Sequence, residues 1–322
     1  MRGLLKLEPG TELLERYVVH SSVGAGGMGE VYRCFDKARQ QEVVAKFPLR
    51  DQLEEEKGRE LFTREFTLLS EIRHKNIVEV YEFHELEDGL PFFTMEYLKG
   101  STLRDYLDQH PGAVTKREST LERLKILEGV AEALCHTHSL GVLHHDLKPE
   151  NIYLLFSCDQ DDSEIKLAKL LDFGLVLDQE NHTPEEAREG SLFYKSPEQY
   201  RTKKIDVTSE IYAFGSLAYE MFSGNRPFDL KERRMVIEFV LEGIIGRKHC
   251  VGDVPYMKNI YPRTRVLINR FIQICMEKEG DFRYQSMHQV LSRLSDIRQH
   301  LESPSWGERI LRIWKREDYA KG

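Results

Sequence analysis

His144-His145-Asp146-Leu147-Lys148-Pro149-Glu150-Asn151 stands near the middle of a chain of 322 residues. Within Asp146 to Asn151 it carries a carboxylate, an ammonium and an amide oxygen, with a proline between. Leu140-Gly141-Val142-Leu143 precedes it and the apolar Ile152-Tyr153-Leu154-Leu155 follows, so the run reads as a loop between two buried segments. Phosphoryl transfer uses these residue types: a carboxylate to orient a hydroxyl, a cation for phosphate charge, and an oxygen ligand for a metal.

Length and composition bound what can surround this loop. The chain is long enough for one large bilobal unit or two ordinary domains, and 40% hydrophobic residues suffice for a real core. A net charge of −8 argues against nucleic-acid binding as the main business, so no nucleic-acid partner is expected. The five cysteines, Cys34, Cys135, Cys158, Cys250 and Cys275, are scattered without a CxxC, as in a reduced protein. Met1-Arg2-Gly3-Leu4-Leu5-Lys6 lacks a signal-peptide apolar core. No window approaches the ~20 apolar residues of a membrane span. The expectation is a soluble, cytoplasmic protein.

Upstream of the loop the pattern is β. Tyr17–Val19 and Val31–Phe35 flank a glycine cluster, and Glu42–Phe47 is a third apolar run; these read as three antiparallel strands. A helix fits Arg59–Arg73, with Leu61, Phe62, Phe66, Leu68, Leu69 and Ile72 at near-helical spacing. Strands are expected at Ile77–Phe83 and Pro91–Tyr97, joined at Asp88-Gly89. Beyond Gly100 the pattern turns helical. Ser101 is a candidate N-cap for a helix through Leu103 and Leu107, and Leu121–Ser139 is a long amphipathic helix. Short strands, Ile152–Phe156 and Ile165–Leu171, flank an acidic insert. Helices are expected at Ser196–Tyr200, Ser209–Ser223, Lys231–Leu241, Arg263–Glu277 and Ser286–His300. A small β-rich lobe with one helix thus precedes a larger helical lobe, and the short join near residues 96–100 implies that the two share a cleft.

Further motifs lie outward from the loop in both directions. Gly24-Ala25-Gly26-Gly27-Met28-Gly29-Glu30-Val31 contains G-x-G-x-x-G-x-V, whose glycines let backbone N–H groups approach phosphates. A strand rather than a helix follows it, which disfavours a dinucleotide-binding turn. Lys46 ends the apolar Val43-Val44-Ala45, where a lysine is out of place unless paired or holding a ligand. Glu65 shares a helix face with Phe62 and Leu69 and should point inward. Asp172-Phe173-Gly174 follows a strand about twenty residues after Asn151. Ser191-Leu192-Phe193-Tyr194-Lys195-Ser196-Pro197-Glu198, Ser209-Glu210-Ile211-Tyr212-Ala213-Phe214-Gly215 and Asp281-Phe282-Arg283-Tyr284 complete the set.

In this order and at these spacings the motifs resemble the eukaryotic-type Ser/Thr protein kinases, and Gly-Gly-Met-Gly-Glu-Val-Tyr looks most like the bacterial members. The resemblance covers about residues 12–300. It implies an α+β, bilobal protein-kinase-like fold with a small β-rich N-lobe and a larger helical C-lobe. The segments become a lead at 1–15, the N-lobe at 16–98, the C-lobe at 99–300 and a tail at 301–322. It implies a phosphotransferase moving the γ-phosphoryl group of ATP to Ser and Thr hydroxyls of proteins, with Mg²⁺, or Mn²⁺ in its place. Asp146 would accept or orient the hydroxyl proton, with Lys148 and Lys46 on phosphate charge and Glu65 as the ion-pair partner of Lys46. Asn151 and Asp172 would hold the metal. Val23, Gly24, Gly26, Gly29, Val31, Val44, Lys46, Met95, Glu96, Leu98 and Tyr153 would line the nucleotide, with Met95 as gatekeeper and Glu96-Tyr97-Leu98 as hinge. Glu198 would pair with Arg283, and Glu210, one methylene longer than the family's usual Asp, would bond the catalytic-loop backbone. Val44 and Tyr153 replace the usual Ala and Leu about the adenine, which points to a narrower slot.

His145 replaces the family's usual Arg, whose bidentate grip on a loop phosphate an imidazole cannot reproduce. Between Gly174 and Ser191 the only hydroxyl side chain is Thr183, among Glu180, Glu185, Glu186 and Glu189. Switching by loop phosphorylation is therefore not expected. From Pro304 onward, Trp306, Ile310, Leu311, Ile313 and Trp314 alternate with basic residues, a candidate amphipathic helix. It could touch a membrane surface or a partner, or dock back on its own domain. Two other functions stay in view: a pseudokinase scaffold and a kinase-fold enzyme acting on a small molecule. Retention of Lys46, Asp146, Asn151 and Asp172 together disfavours the scaffold.

Overall fold

The computed structural model describes residues 5–26, 29–50, 53, 56–157, 165–172, 177–178, 191–201, 205–228 and 238–302. The chain divides into two compact units, Met1–Gly100 with Lys169–Leu175, and Ser101–Ala168 with Val176–Gly322.

The first unit is built on an antiparallel sheet of six strands in the order β1-β2-β3-β4-β6-β5. Its strands are β1 (Glu12–Leu13), β2 (Tyr17–Gly26), β3 (Gly29–Asp36), β4 (Gln41–Phe47), β5 (Val80–Glu85) and β6 (Pro91–Glu96). Period-two alternation sends Tyr32 and Cys34 of β3 inward to meet Tyr17, Val19, Phe47 and Phe92 in one core. The expected lead is not wholly outside this sheet. Leu13 pairs with Tyr17 across β1 and β2, and two residues are too few to show a period. The helix α1 (Glu56–Glu71) lays Phe62 and Phe66 against Phe83 and Phe93, with ring centroids 5.1–6.2 Å apart.

β5 starts at Val80 rather than Ile77. Ile77 forms a parallel bridge with Leu170 instead, and Val78 and Leu170 exchange backbone bonds with Leu170 and Asn76 at 3.0 and 2.8 Å. This three-residue detour ties the segment around Lys169–Asp172 into the first unit.

The second unit is mainly helical. It contains α2 (Leu103–Gln109), α3 (Arg117–Ser139), α4 (Pro197–Tyr200), α5 (Val207–Ser223), α6 (Glu238–Val251), α7 (Arg265–Cys275) and α8 (Met287–Glu302). Short strands β7 (Gly100–Thr102), β8 (Val142–Leu143), β9 (Ile152–Phe156), β10 (Ile165–Leu170) and β11 (Leu177–Asp178) form two small sheets. Two expectations are corrected. The cap of α2 is Thr102, not Ser101: Thr102 and Asp105 form a reciprocal capping box, which leaves Ser101 in β7. The helix expected to stop at Leu241 continues to Val251 through Gly243 and Gly246. Its expected start at Lys231, like Gly27, Met28, Phe173, Gly174, Thr183 and the tail, lies outside the described residues. α3 packs along α8, where Arg298 holds Glu128 with both bonds at 2.9 Å.

Candidate active site

In the first unit the chemistry centres on Lys46. β4 presents Lys46 opposite Phe93 of β6 and Val31 of β3, on the face that α1 covers. Its Nζ donates to Glu65 Oε1 at 2.7 Å and to Asp172 Oδ1 at 2.8 Å. Lys46 and Glu65 are 6% and 4% exposed, so neither charge is stable there without the other. Burial works against the ammonium, but the Asp172 and Glu65 carboxylates outweigh it and leave the Lys46 pKa raised. For Glu65, burial dominates and pushes its pKa up against the pull of Lys46. Asp172 is more open, at 21% exposed, and its backbone is left-handed at φ +53°, an uncommon conformation for a residue other than glycine.

The remaining first-unit residues sit where the strands place them. The β2–β3 hairpin pairs Gly24 with Val31 and Gly26 with Gly29. Gly29, at φ +134°, could not carry a side chain: a Cβ would lie 2.1 Å from the Phe47 carbonyl oxygen. Val23 is exposed, Val31 half-buried and Val44 buried beside Met95 in register. Leu98 is buried. The Glu96 side chain turns back to accept from Lys169 Nζ at 2.5 Å and from the Glu79 N–H at 2.8 Å, which fixes the strand end before Leu98. Sequence spacing gave no sign of that Lys169 link.

In the second unit the loop 144–151 wraps around Asp146. Asp146 Oδ2 accepts from Lys148 Nζ and, at 3.3 Å, from Asn151 Nδ2. Asn151 Nδ2 also donates to the Asp146 carbonyl at 2.9 Å. The amide nitrogen of Asn151 is thereby committed to Asp146, and the residue is buried. Asp146 Oδ1 accepts from both the backbone N and the Oγ of Ser191, at 2.9 and 2.7 Å. Ser191 stands in the expected segment, but its bonds to the Asp146 carboxylate were not foreseen. Tyr153, on β9, is half-buried.

Glu210 of α5 supports the loop from beneath. Its Oε1 accepts from the N–H groups of His144 and His145 at 2.7 and 2.9 Å, and its Oε2 bonds His138 Nε2. The longer side chain does meet the loop backbone as expected; its partner His138 was not anticipated. Burial raises the Glu210 pKa, and the bonds and charge of His138 with the loop N–H groups more than reverse this, leaving it lowered. His145 is held in the left-handed region at φ +66°. Further out, Arg283 grips Glu198 bidentately at 2.6 and 2.9 Å, as expected, and also donates to three carbonyls, those of Thr208, Glu277 and Lys278.

The β-rich unit thus carries a buried Lys–Glu–Asp cluster, and the helical unit an Asp–Lys–Asn loop braced by a buried carboxylate. The chain belongs to the protein kinase domain family, which matches it over residues 17–293. It is 28% identical to a probable serine/threonine-protein kinase of Clostridium acetobutylicum over 90% of this chain and 41% of that protein. It is 28% identical to the serine/threonine-protein kinase PrkC of Bacillus subtilis over 97% of this chain and 44% of the relative. The serine/threonine-protein kinase pkn3 of Myxococcus xanthus is 33% identical over 68% of this chain and 40% of its own length. The chain thus spans about two fifths of the length of these curated relatives. The expected bacterial, eukaryotic-like kinase family and α+β fold both hold. Among the described residues no helix is long and apolar enough to cross a membrane.

Proposed function

We propose that the chain is an active protein kinase domain that transfers the γ-phosphoryl group of ATP to Ser and Thr hydroxyls of proteins. One observation carries this reading: each unit keeps its whole set of charged side chains in working contact. Lys46 is held between Glu65 and Asp172, and Asp146 is held by Lys148, Asn151 and Ser191. A scaffold has no use for such clusters, since buried charges without a ligand to bind are costly to maintain.

In this reading Asp146 orients the acceptor hydroxyl and takes its proton, with Ser191 fixing the carboxylate rotamer. Lys148 lies on the same carboxylate and stabilises charge on the transferring phosphoryl oxygens, and Lys46 does so at the α- and β-phosphates. The oxygens of Asp172 and Asn151 are hard donors of the kind Mg²⁺ takes, and the bound ion would supply charge neutralisation at the phosphates. Val23, Gly24, Gly26, Gly29, Val31, Val44, Met95, Glu96, Leu98 and Tyr153 would contact the nucleotide. Lys148 within the loop favours Ser and Thr over Tyr, and protein over small-molecule acceptors.

Loop phosphorylation is not the switch in this proposal. His145 offers no bidentate fork for a phosphate, and its backbone is fixed by Glu210 whatever the loop carries. Incubation with labelled ATP and Mg²⁺, with and without a generic protein substrate, tests the activity; Asp146→Asn should abolish label transfer. Transfer to no protein, the chain itself included, would refute it. Thr183→Ala should leave peptide phosphorylation intact.

A further inference from the structure

Glu30 of β3 is a carboxylate inside the first unit, 4% exposed, and its bonds run to an N–H and a hydroxyl rather than to a cation. Its Oε1 accepts from the Leu5 N–H at 2.6 Å. The Tyr32 hydroxyl lies 2.9 Å from Oε2 and 3.0 Å from the Leu5 carbonyl, two acceptors for its single proton. The Leu7 N–H reaches the same hydroxyl at 3.5 Å, and Leu5 and Leu7 pack on the core that holds Tyr32. Further along, the Gly10 N–H donates to the Val19 carbonyl at 2.8 Å and the Val19 N–H to the Thr11 carbonyl at 2.9 Å. The segment 5–13 is thus a strap over one face of the sheet, fastened to β2 at one end and to Glu30 at the other.

Glu30 matters because of its place in the register. It pairs with Ala25 of β2 on one side and Phe47 of β4 on the other, so it is where the glycine hairpin, one residue from its turn, meets the rest of the sheet. The next residue, Val31, pairs with Gly24 and with Lys46. Side chains alternate along β3, so Glu30 and Tyr32 face the strap while Val31 faces the other way. The hairpin is loosely held along β2. Irregularities between Val19 and Ser21 and between Ser22 and Gly24 interrupt its ladder, and among the described residues β1 supports β2 only at Tyr17 and Val18. A buried carboxylate is costly unless its acceptors are filled, so the strap and Glu30 hold each other in place. Hydrogen bonds weaken steeply with distance and angle, so a small rocking of the hairpin decides whether its N–H groups reach a phosphate.

We propose that Glu30 is a positioning residue for the nucleotide: by clamping the glycine hairpin to the Leu5–Leu7 strap, it sets how closely the hairpin N–H groups approach the nucleotide phosphates. This rests on the nucleotide-binding part of the kinase reading above and deepens it. The alternative, a tie that serves folding only, affects ligands with and without phosphates alike.

The test measures the dissociation constants of MgATP and of adenosine on the whole chain, by displacement of a fluorescent adenosine, and follows their ratio. Glu30→Ala removes the tie and should raise the ratio (MgATP over adenosine) about tenfold, the worth of one charge-assisted contact. Tyr32→Phe keeps the ring in the core, loses only the hydroxyl, and should raise it by less. Glu30→Gln should stay close to wild type: its Oε1 accepts from the Leu5 N–H, its Nε2 donates to the Tyr32 hydroxyl, and that proton passes to the Leu5 carbonyl. Because each ratio is taken within one protein, a partial loss of folded material cancels, and Tyr32→Phe decides alone where Glu30→Ala does not fold. A ratio that stays flat in the variants that fold, or rises as much in Glu30→Gln as in Glu30→Ala, overturns the inference alone. Failure of label transfer overturns the kinase reading alone, since the ratio is read without turnover. No binding of MgATP to wild type overturns both.

Discussion

Ser191 holds Asp146 by two atoms on one carboxylate oxygen, its backbone nitrogen at 2.9 Å and its hydroxyl at 2.7 Å. Lys148 and Asn151 hold the other oxygen, so the carboxylate is braced on both sides. A carboxylate braced in this way presents its free lone pairs in a fixed direction, which is what orienting a hydroxyl requires.

Ser191→Ala should therefore slow turnover without weakening nucleotide binding. The backbone bond survives, so the carboxylate loosens rather than collapses, and a kcat loss of about tenfold to a hundredfold is expected. Ser191→Thr keeps the hydroxyl and should keep most of the activity. Steady-state kinetics with ATP and a peptide checks both, and equal losses in the two variants would contradict the assignment.

The pair of Glu198 with Arg283 should be structural. Arg283 is 2% exposed, lies over the Tyr212 ring at 4.9 Å, and satisfies three carbonyls besides the carboxylate. Glu198→Ala leaves a buried guanidinium without its counter-charge, a loss of roughly 3–5 kcal/mol. A fall in urea midpoint with an unchanged m-value is expected. Glu198→Gln, which keeps the shape and one acceptor, should fall less.

Much of this was legible in the sequence because the chemistry is local. Asp146, Lys148 and Asn151 sit within six residues, and Lys46 betrays itself as a cation in an apolar strand. What was hidden lies in partners far apart along the chain. No period or spacing links His138 to Glu210, or Lys169 to Glu96. The boundary of α6 was misread for another reason. Gly243 and Gly246 look like a helix stop, since glycine costs a helix about 1 kcal/mol relative to alanine. The structure shows what Gly246 supplies: a Cβ there would meet the Tyr200 ring at 2.7 and 2.8 Å. Its burial against α4 is a packing requirement that a one-dimensional pattern does not carry.

That contact sets the sign of a substitution. Gly246→Ala gains about 1 kcal/mol of helix propensity. It also forces a methyl into ring carbons held by Tyr200's bond to the Leu192 carbonyl, an overpacking cost of typically 1–3 kcal/mol. A net loss of stability of up to about 2 kcal/mol is expected, visible as a lower Tm. Gly243 has no atom within 4 Å of its would-be Cβ, so Gly243→Ala should be stabilising, and the opposite signs of the two variants are the check.

The last prediction concerns acid. His249 of α6 is 1% exposed, stacked on Tyr200 and edge-to-face with Phe228, and its Nδ1 meets the Tyr212 hydroxyl at 3.0 Å. Burial, and then the nearby Lys278 charge, lower its pKa to about 3. In the unfolded chain it titrates near ~6.5. Between these values the unfolded state binds the proton and the folded state does not, so stability rises with pH across the window and is lost as pH falls below about 6.5. One such group contributes a slope approaching ~1.4 kcal/mol per pH unit. His84 and His300 are lowered in the same direction by burial and share the trend. Urea midpoints taken between pH 7.5 and 5 carry this decline together with the opposite trend of Glu65, whose pKa burial raises to about 7, so the comparison of variants isolates His249. His249→Gln should decline less steeply, whatever its absolute stability, and an unchanged slope would show that His249 does not stay neutral in the folded protein.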